Sequence, residues 1–350
     1  KSCPNPFYTL LMNSLKLTFF TFLILSYLPA KTPFVYTIGF TGGYDNNVMR
    51  FSEDEFNIAA SNAQQMGGAT TFDSFVYKLG VSGNKSIWDS EKKSFTLSGN
   101  MNWADYKHHP EKQYGAGGLD ATFKWGSYQS VKYSVRHLNS FYLRHYVDRD
   151  ISTRQLAPCA FTDRNQSVTL TQKVIRSMWT NIGVGYLQRY YENPFNEFDL
   201  DIIYIRGKIN KKIKKLGSAS FQVERGSASS QSHFLPDRPS SFNRSYETME
   251  WYLPIKIKKG LPLLNELGLS LRQENRIYAA EDPNDPLHAG RNHLDSKIDL
   301  WIKKKMSESL NITLTGRYRQ RETESSYNWV TDLKSFNQLQ FWCKMEWDLV

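Results

Sequence analysis

The sequence predicts an all-β chain, an antiparallel up-and-down barrel of about 14 strands spanning a membrane, and three observations predict it. First, Leu310, Ile312, Leu314 and Gly316 alternate with Asn311, Thr313, Thr315 and Arg317, and Arg319 and Arg321 follow in the same register. Period-two alternation gives a strand with one apolar and one polar face, and the pattern recurs around Lys256, Arg272 and Lys297. Second, the chain is 14% aromatic, with 20 Tyr and 9 Trp, yet its mean hydropathy is -0.54. Transmembrane barrels combine these properties because half of each strand is polar. After residue 30 no run approaches the roughly 18 apolar residues of a spanning helix. Third, the connectors between successive strands alternate in length.

In chain order, Asn13, Ser14 and Lys16 precede the apolar run Leu17 to Leu28, which ends at Pro29 and Ala30. A short charged start followed by such a run reads as a secretory signal, although Leu28 suits the cleavage position poorly. Residues 1–11 are therefore read as an upstream segment outside the native fold, 12–30 as the signal peptide and 31–350 as a single barrel domain. The alternating segments place strands at 34–46, 70–83, 93–105, 114–125, 129–146, 164–175, 179–191, 197–209, 215–226, 244–257, 264–279, 292–303, 309–321 and 333–347.

Connectors after strands 1, 3, 5, 9, 11 and 13 are long or polar, and those after 4, 6, 8, 10 and 12 are tight. Long loops on one rim and short turns on the other are the arrangement of an outer-membrane barrel. Two places fit less well: Ile87 to Lys92 is long for a turn, and Glu192 to Asn196 is short for an outer loop. A soluble sandwich would have to bury a face that repeatedly carries Lys, Arg, Asp and Glu, which is costly. Aromatics such as Tyr186, Tyr190, Trp251, Phe341 and Trp347 fall where girdles would lie, and cross-strand packing gives the same pattern.

The segment Gly42-Gly43-Tyr44-Asp45-Asn46-Asn47-Val48-Met49-Arg50-Phe51-Ser52 resembles the first-strand exit of bacterial outer-membrane β-barrel proteins, porin-like or uncharacterised, in which a Gly-Tyr-Asp-x-Asn-Val pattern recurs. Leu339, Phe341, Cys343, Met345 and Trp347 are similar to the C-terminal assembly signal of such proteins, departing from it in ending on Val350. The resemblance implies a bacterial outer-membrane location, outer-membrane lipid around the wall, and the barrel-assembly machinery as a partner of the last strand.

If Leu310, Ile312 and Leu314 face lipid, the same registration turns Lys132, Arg136, Arg272, Glu274, Arg276, Lys297, Asp299, Lys303, Arg317 and Arg319 toward the lumen. Two readings follow. A water-filled passage lined by Arg and Lys would pass small hydrophilic solutes or polysaccharide, with a preference for anions. Alternatively, Arg272, Glu274, Lys297 and Asp299 form ion-paired ladders that plug or stiffen the barrel, leaving a structural or adhesive protein whose outer loops bind a partner. The formal charge of +10 falls to +8 once Lys1 and Lys16 are set aside with the leader, and to +7 with Lys31 at the cleavage point. Nucleic acid is not an expected partner of a secreted barrel.

Enzymatic features are weak. No Gly-rich phosphate loop or GxSxG motif is present, and a hydrolase would have to be assembled from Ser325, Ser326, His293 and Asp295. Neither the His108-His109 pair nor Cys159, placed in a loop, nor Cys343 has metal-ligand spacing. The carboxylates of Ala280 to Arg291 suit either a Ca²⁺ loop or a stiff turn containing Pro283 and Pro286, and the turn is favoured. No cofactor, metal or catalytic residue is expected.

Overall fold

The computed structural model describes residues 34–349 apart from 63, 153–154, 215, 231–241 and 259–260. The expected leader and upstream segment lie outside the described residues, as does Val350. The described residues form fourteen strands: β1 (Val35–Asp45), β2 (Ser74–Asp89), β3 (Ser94–Tyr106), β4 (Tyr114–Gly126), β5 (Gln129–Val147), β6 (Leu156–Ile175), β7 (Met178–Tyr191), β8 (Leu200–Ile213), β9 (Gly217–Ser230), β10 (Tyr246–Ile257), β11 (Glu266–Tyr278), β12 (Asn292–Lys305), β13 (Leu310–Glu324) and β14 (Phe336–Leu349). Each strand pairs antiparallel with its sequence neighbours, and β1 pairs with β14 from Tyr36↔Leu349 to Asp45↔Gln340, closing the barrel. Closure leaves no unpaired edge.

The two faces sort as the alternation requires. Leu79, Met101, Leu119, Leu170, Ile182, Ile203 and Leu300 are all exposed, one to a strand around the wall, so the apolar rows point outward. Lys78, Tyr114, Phe141, Lys297, Arg317 and Gln340, from six different strands, line one shared cavity, which makes the opposite face the interior.

Connectors alternate around the whole ring: 46–73, 107–113, 148–155, 192–199, 231–245, 279–291 and 325–335 on one rim, and 90–93, 127–128, 176–177, 214–216, 258–265 and 306–309 on the other. The two misfits noted in the sequence resolve into longer ordered structure. β2 continues to Asp89, so the turn is only 90–93, and 192–199 contains a 3-10 turn at Asn196–Phe198. β6 starts at Leu156, eight residues before the alternation becomes regular, and so Cys159 is a fully buried strand residue rather than a loop residue.

Two helices occupy the long-loop rim, α1 (Glu53–Ala60) in the loop after β1 and α2 (Asn328–Lys334) in the loop after β13, and they pack side by side. Sequence alternation gave no sign of either. α1 starts with a capping box, Ser52 Oγ accepting from Glu55 N at 3.1 Å and Glu55 Oε2 accepting from Ser52 N at 3.1 Å, which satisfies donors a helix start leaves open.

The seam requires one small residue on β1. A Cβ on Gly43 would lie 2.2 Å from the Trp342 ring and 2.5 Å from the Phe341 carbonyl oxygen, whereas one on Gly39 would meet nothing closer than 3.7 Å. Because Gly43 leaves this space, Trp342 lies across β1 and its ring meets Lys78 Nζ of β2 at 4.0 Å. Overpacking of this kind costs about 1–3 kcal/mol. Gly43→Val is expected to lower the urea midpoint of the folded barrel, followed by heat-modifiable gel mobility, while Gly39→Ala leaves it close to the parent value.

Candidate lumen and mouth of the barrel

The interior is built from the inward row of each strand. Along much of the wall, charges pair between neighbouring strands: Arg136 with Asp120 at 2.7 Å, Arg189 with Asp163 at 2.8 Å, Arg206 with Glu224 at 2.6 Å, and Arg272 with Glu250. On β11, Arg276 donates to Glu274 at 2.7 Å and covers the Tyr246 ring. Arg317 forks onto Asp299 at 2.6 and 3.2 Å, and Asp299 also accepts from Ser270. Asp295 receives both Arg319 (2.5 Å) and Arg321 (2.9 Å), with Lys297 at 3.7 Å. Lys303 reaches Glu346 of β14 at 3.9 Å, over β13.

Of the residues singled out in the sequence, Lys297, Arg317 and Arg319 come together at a cavity of about 260 Å³. Lys132 shares the inward face of β5 with Arg136, while Arg272, Glu274, Arg276, Asp299 and Lys303 stand on the wall outside the cavity lining. The cavity's remaining lining is Arg50, Lys78, Tyr106, Tyr114, Phe141, Gln338, Gln340 and Trp342. Lys78 obeys the same alternation between Tyr77 and Leu79 and was legible on that ground; its inward row is otherwise Ser, Val and Gly, which hid it. Arg50 lies in a loop, where no periodicity marks a direction.

The loop after β1 supplies the upper wall. Asn47 is its pivot: Nδ2 donates to Phe51 O at 2.9 Å and Asn337 O at 3.0 Å, and Oδ1 accepts from Phe51 N at 2.9 Å. This bends the chain inward and leaves Arg50 in the left-handed region at φ 56. Met49, Phe51, Ala59, Met66 and Ala69 then pack on Tyr142 of β5 and Ala160 of β6, with Phe56 and Phe72 against them. Since β5 stands four strands around from β1, the loop crosses the mouth to reach it. Register shifts at Leu138/Phe141 and Tyr142/Arg144 re-aim β5 to receive it, as bulges do. Arg144 Nη1 donates to Glu55 Oε2 at 2.8 Å, tying the helix cap to the far wall.

A Ser/His/Asp relay does not assemble. His293 Nδ1 is 2.8 Å from Thr323 Oγ1, Asp295 is engaged by two arginines, and neither meets Ser325 or Ser326 among the described residues. Nor do three His, Cys, Asp or Glu side chains gather as a metal would require among those residues. In the 279–291 loop, Asp285 accepts from the His288 ring at 2.8 Å and Asp282 from Asn284 N at 2.8 Å, bonds that build a turn.

No protein-family model and no curated protein matches the chain. Solved structures similar to it include OccAB4 of Acinetobacter baumannii, at 8% identity over 91% of this chain and 99% of that one with a TM-score of 0.45. The outer membrane protein OpdK of Pseudomonas aeruginosa is 9% identical over 91% and 99%, with a TM-score of 0.42. OmpT, an outer membrane protein of Vibrio cholerae, is 9% identical over 92% and 100%, also with a TM-score of 0.42. At this distance the barrel rests on its own strand register.

The loop after β3 contributes Lys112, buried with its amine donating to Tyr142 O at 3.2 Å and facing the Phe141 and Tyr142 rings. Burial, then Arg50 and Arg144, pushes this amine down from 10.5 to about 7, against the weaker pull of Asp45 and Glu111. The open, hydrated loop binds that proton more tightly than the packed one. Packing across the mouth is therefore strongest above pH 10.5, weakens as pH falls toward 7, and gains no further change from Lys112 below that. Lys334 of α2, likewise lowered from 10.5 to about 7 by burial and then by Arg144, acts in the same window. Spin labels at Ile58 and Trp329, both exposed, should show a narrower distance distribution by pulsed EPR at pH 9.5 than at pH 7, with Lys112→Met reducing the difference and Lys112→Met/Lys334→Met removing it.

Proposed function

We propose that this protein is an outer-membrane channel that passes small hydrophilic anions by charge-filtered diffusion. The observation carrying this reading is the cavity beneath the first loop, lined by Arg50, Lys78, Lys297, Arg317 and Arg319 and by no carboxylate. Arg317 and Arg319 are paired with Asp299 and Asp295, as much of the inner wall is paired strand to strand, so the excess positive charge rests on Arg50 of the loop and Lys78 of β2, where the passage is narrowed. Fixed cations in a confined aqueous space raise the local concentration of counter-ions and repel cations, which sets selectivity without a covalent step. The outward apolar rows fit the acyl chains of a bilayer, and the outward row Leu339, Phe341, Cys343, Met345 and Trp347 of β14 is the surface offered to an assembly machinery. Polysaccharide is a less suitable cargo while the loops lie across the mouth.

The packing of α1 against α2 and of Phe51 and Phe56 against β5 and β6 favours a second reading, a plugged barrel whose loops bind an external partner. Planar-bilayer recording separates the two. The channel should show stepwise conductance with a reversal potential displaced toward the chloride equilibrium value in a salt gradient. Arg317→Gln frees the Asp299 carboxylate in the lumen and should reduce the anion-to-cation permeability ratio several-fold, with Arg317→Gln/Asp299→Asn restoring part of it. A folded barrel that stays silent in the bilayer selects the plugged reading.

A further inference from the structure

The cavity's charges do not balance among themselves, and its unpaired groups converge. Six cations stand at or directly behind its wall, Arg50, Lys78, Lys297, Arg317, Arg319 and Arg321, against three carboxylates, Asp45, Asp295 and Asp299, leaving an excess of three. Asp299 is held by Arg317 and Asp295 by Arg319 and Arg321. Asp45 is satisfied by neutral donors, Gln338 and Gln340. Arg50 and Lys78 make no bond to a carboxylate among the described residues, Lys78 having only the Trp342 ring. The hydroxyls of Tyr106 and Tyr114, also in the lining, have no hydrogen-bond partner among those residues.

We propose that this compartment is a binding site for a small oxyanion carrying two or more negative charges, of the phosphate or pyrophosphate class. A monoanion would leave two of the three excess charges uncompensated, and a neutral sugar would leave all three. An oxyanion with several terminal oxygens accepts from a guanidinium, an ammonium and two phenols at once, and charge-assisted bonds of this kind are the stronger ones. Presentation of Arg50 is fixed in advance, because Asn47 clamps Phe51 on one side and Arg50 N donates to Asn47 O at 3.1 Å. A non-glycine residue at positive φ is strained and persists where its surroundings hold it. The guanidinium of Arg50 is pushed below its ordinary range by burial and by Arg319 and Arg321, a repulsion that a bound anion relieves.

This inference rests on the anion-channel reading for its physiological sense but not for its test. The full chain, refolded in detergent micelles and checked by heat-modifiable mobility, is titrated with inorganic pyrophosphate by calorimetry, and chloride current through the same preparation is recorded with pyrophosphate added. The expected result is saturable binding and current block at concentrations at least 100-fold below the chloride present, each weakened about tenfold or more by Arg50→Gln and by Lys78→Gln. Lys208→Gln, on the inward face of β8, should leave both unchanged. Current that treats pyrophosphate and chloride alike, with no saturable binding, overturns the site and leaves the channel standing. A silent barrel that binds pyrophosphate and loses it in Arg50→Gln keeps the site and overturns the channel. If folded Arg50→Gln and Lys78→Gln proteins bind as the parent does, the assignment to this compartment fails.

Discussion

A single buried carboxylate joins the two ends of the described chain and turns the first loop inward. Asp45, the last residue of β1, accepts from Gln338 at 2.9 Å, from Gln340 at 2.6 Å and from Asn47 N at 3.0 Å. An unpartnered carboxylate in this position would be costly; here neutral amides from the closing strand satisfy it, so the seam and the loop's departure are fixed by one group. Asn47 extends the same network, and through it Arg50 is aimed at the cavity and Phe51 at the far wall. Removing the Asp45 carboxylate would therefore loosen barrel closure and constriction together, because both draw on the same donors.

The inner wall divides energetically into two sectors. Ion pairs facing a hydrated lumen contribute little each, typically about 0–1 kcal/mol, so those of Arg136, Arg189 and Arg206 are better understood as cancelling field than as holding the barrel, which the continuous backbone ladder does. Where cancellation stops, around β1, β2 and the first loop, the field remains. The paired ladders run from β4 round to β13, and the uncompensated charge of Arg50 and Lys78 stands beside them on the first loop and β2.

Much of this was legible in the sequence, for a physical reason. A barrel wall has only two environments, and alternation reports both; strand number, connector asymmetry and the direction of Arg272, Lys297 and Arg317 all follow from it. The limits have physical causes as well. Residues 156–163 include Pro158 and Cys159 and lose the alternation where β6 rises above the apolar belt, so its upper end went unread. α1 and α2 are too short to show a helical period and are held by tertiary packing. Arg50 owes its direction to an Asn side chain four residues before Phe51 in a folded loop, which no local pattern encodes. The motif around Asp45 and Asn47 was visible, but its role in joining β1 to β14 required their spatial proximity.

The outward apolar rows specify alignment only modulo two, since a slip by one residue turns every side chain to the wrong face but a slip by two does not. The inward charges remove that ambiguity. Asp163 stands directly across from Arg189, Arg206 from Glu224, Asp299 from Arg317 and Asp295 from Arg321, so a two-residue offset separates several partners at once. A wall built this way carries its own parity check: the apolar rows sort the faces, and electrostatics selects one alignment among those that the apolar pattern accepts.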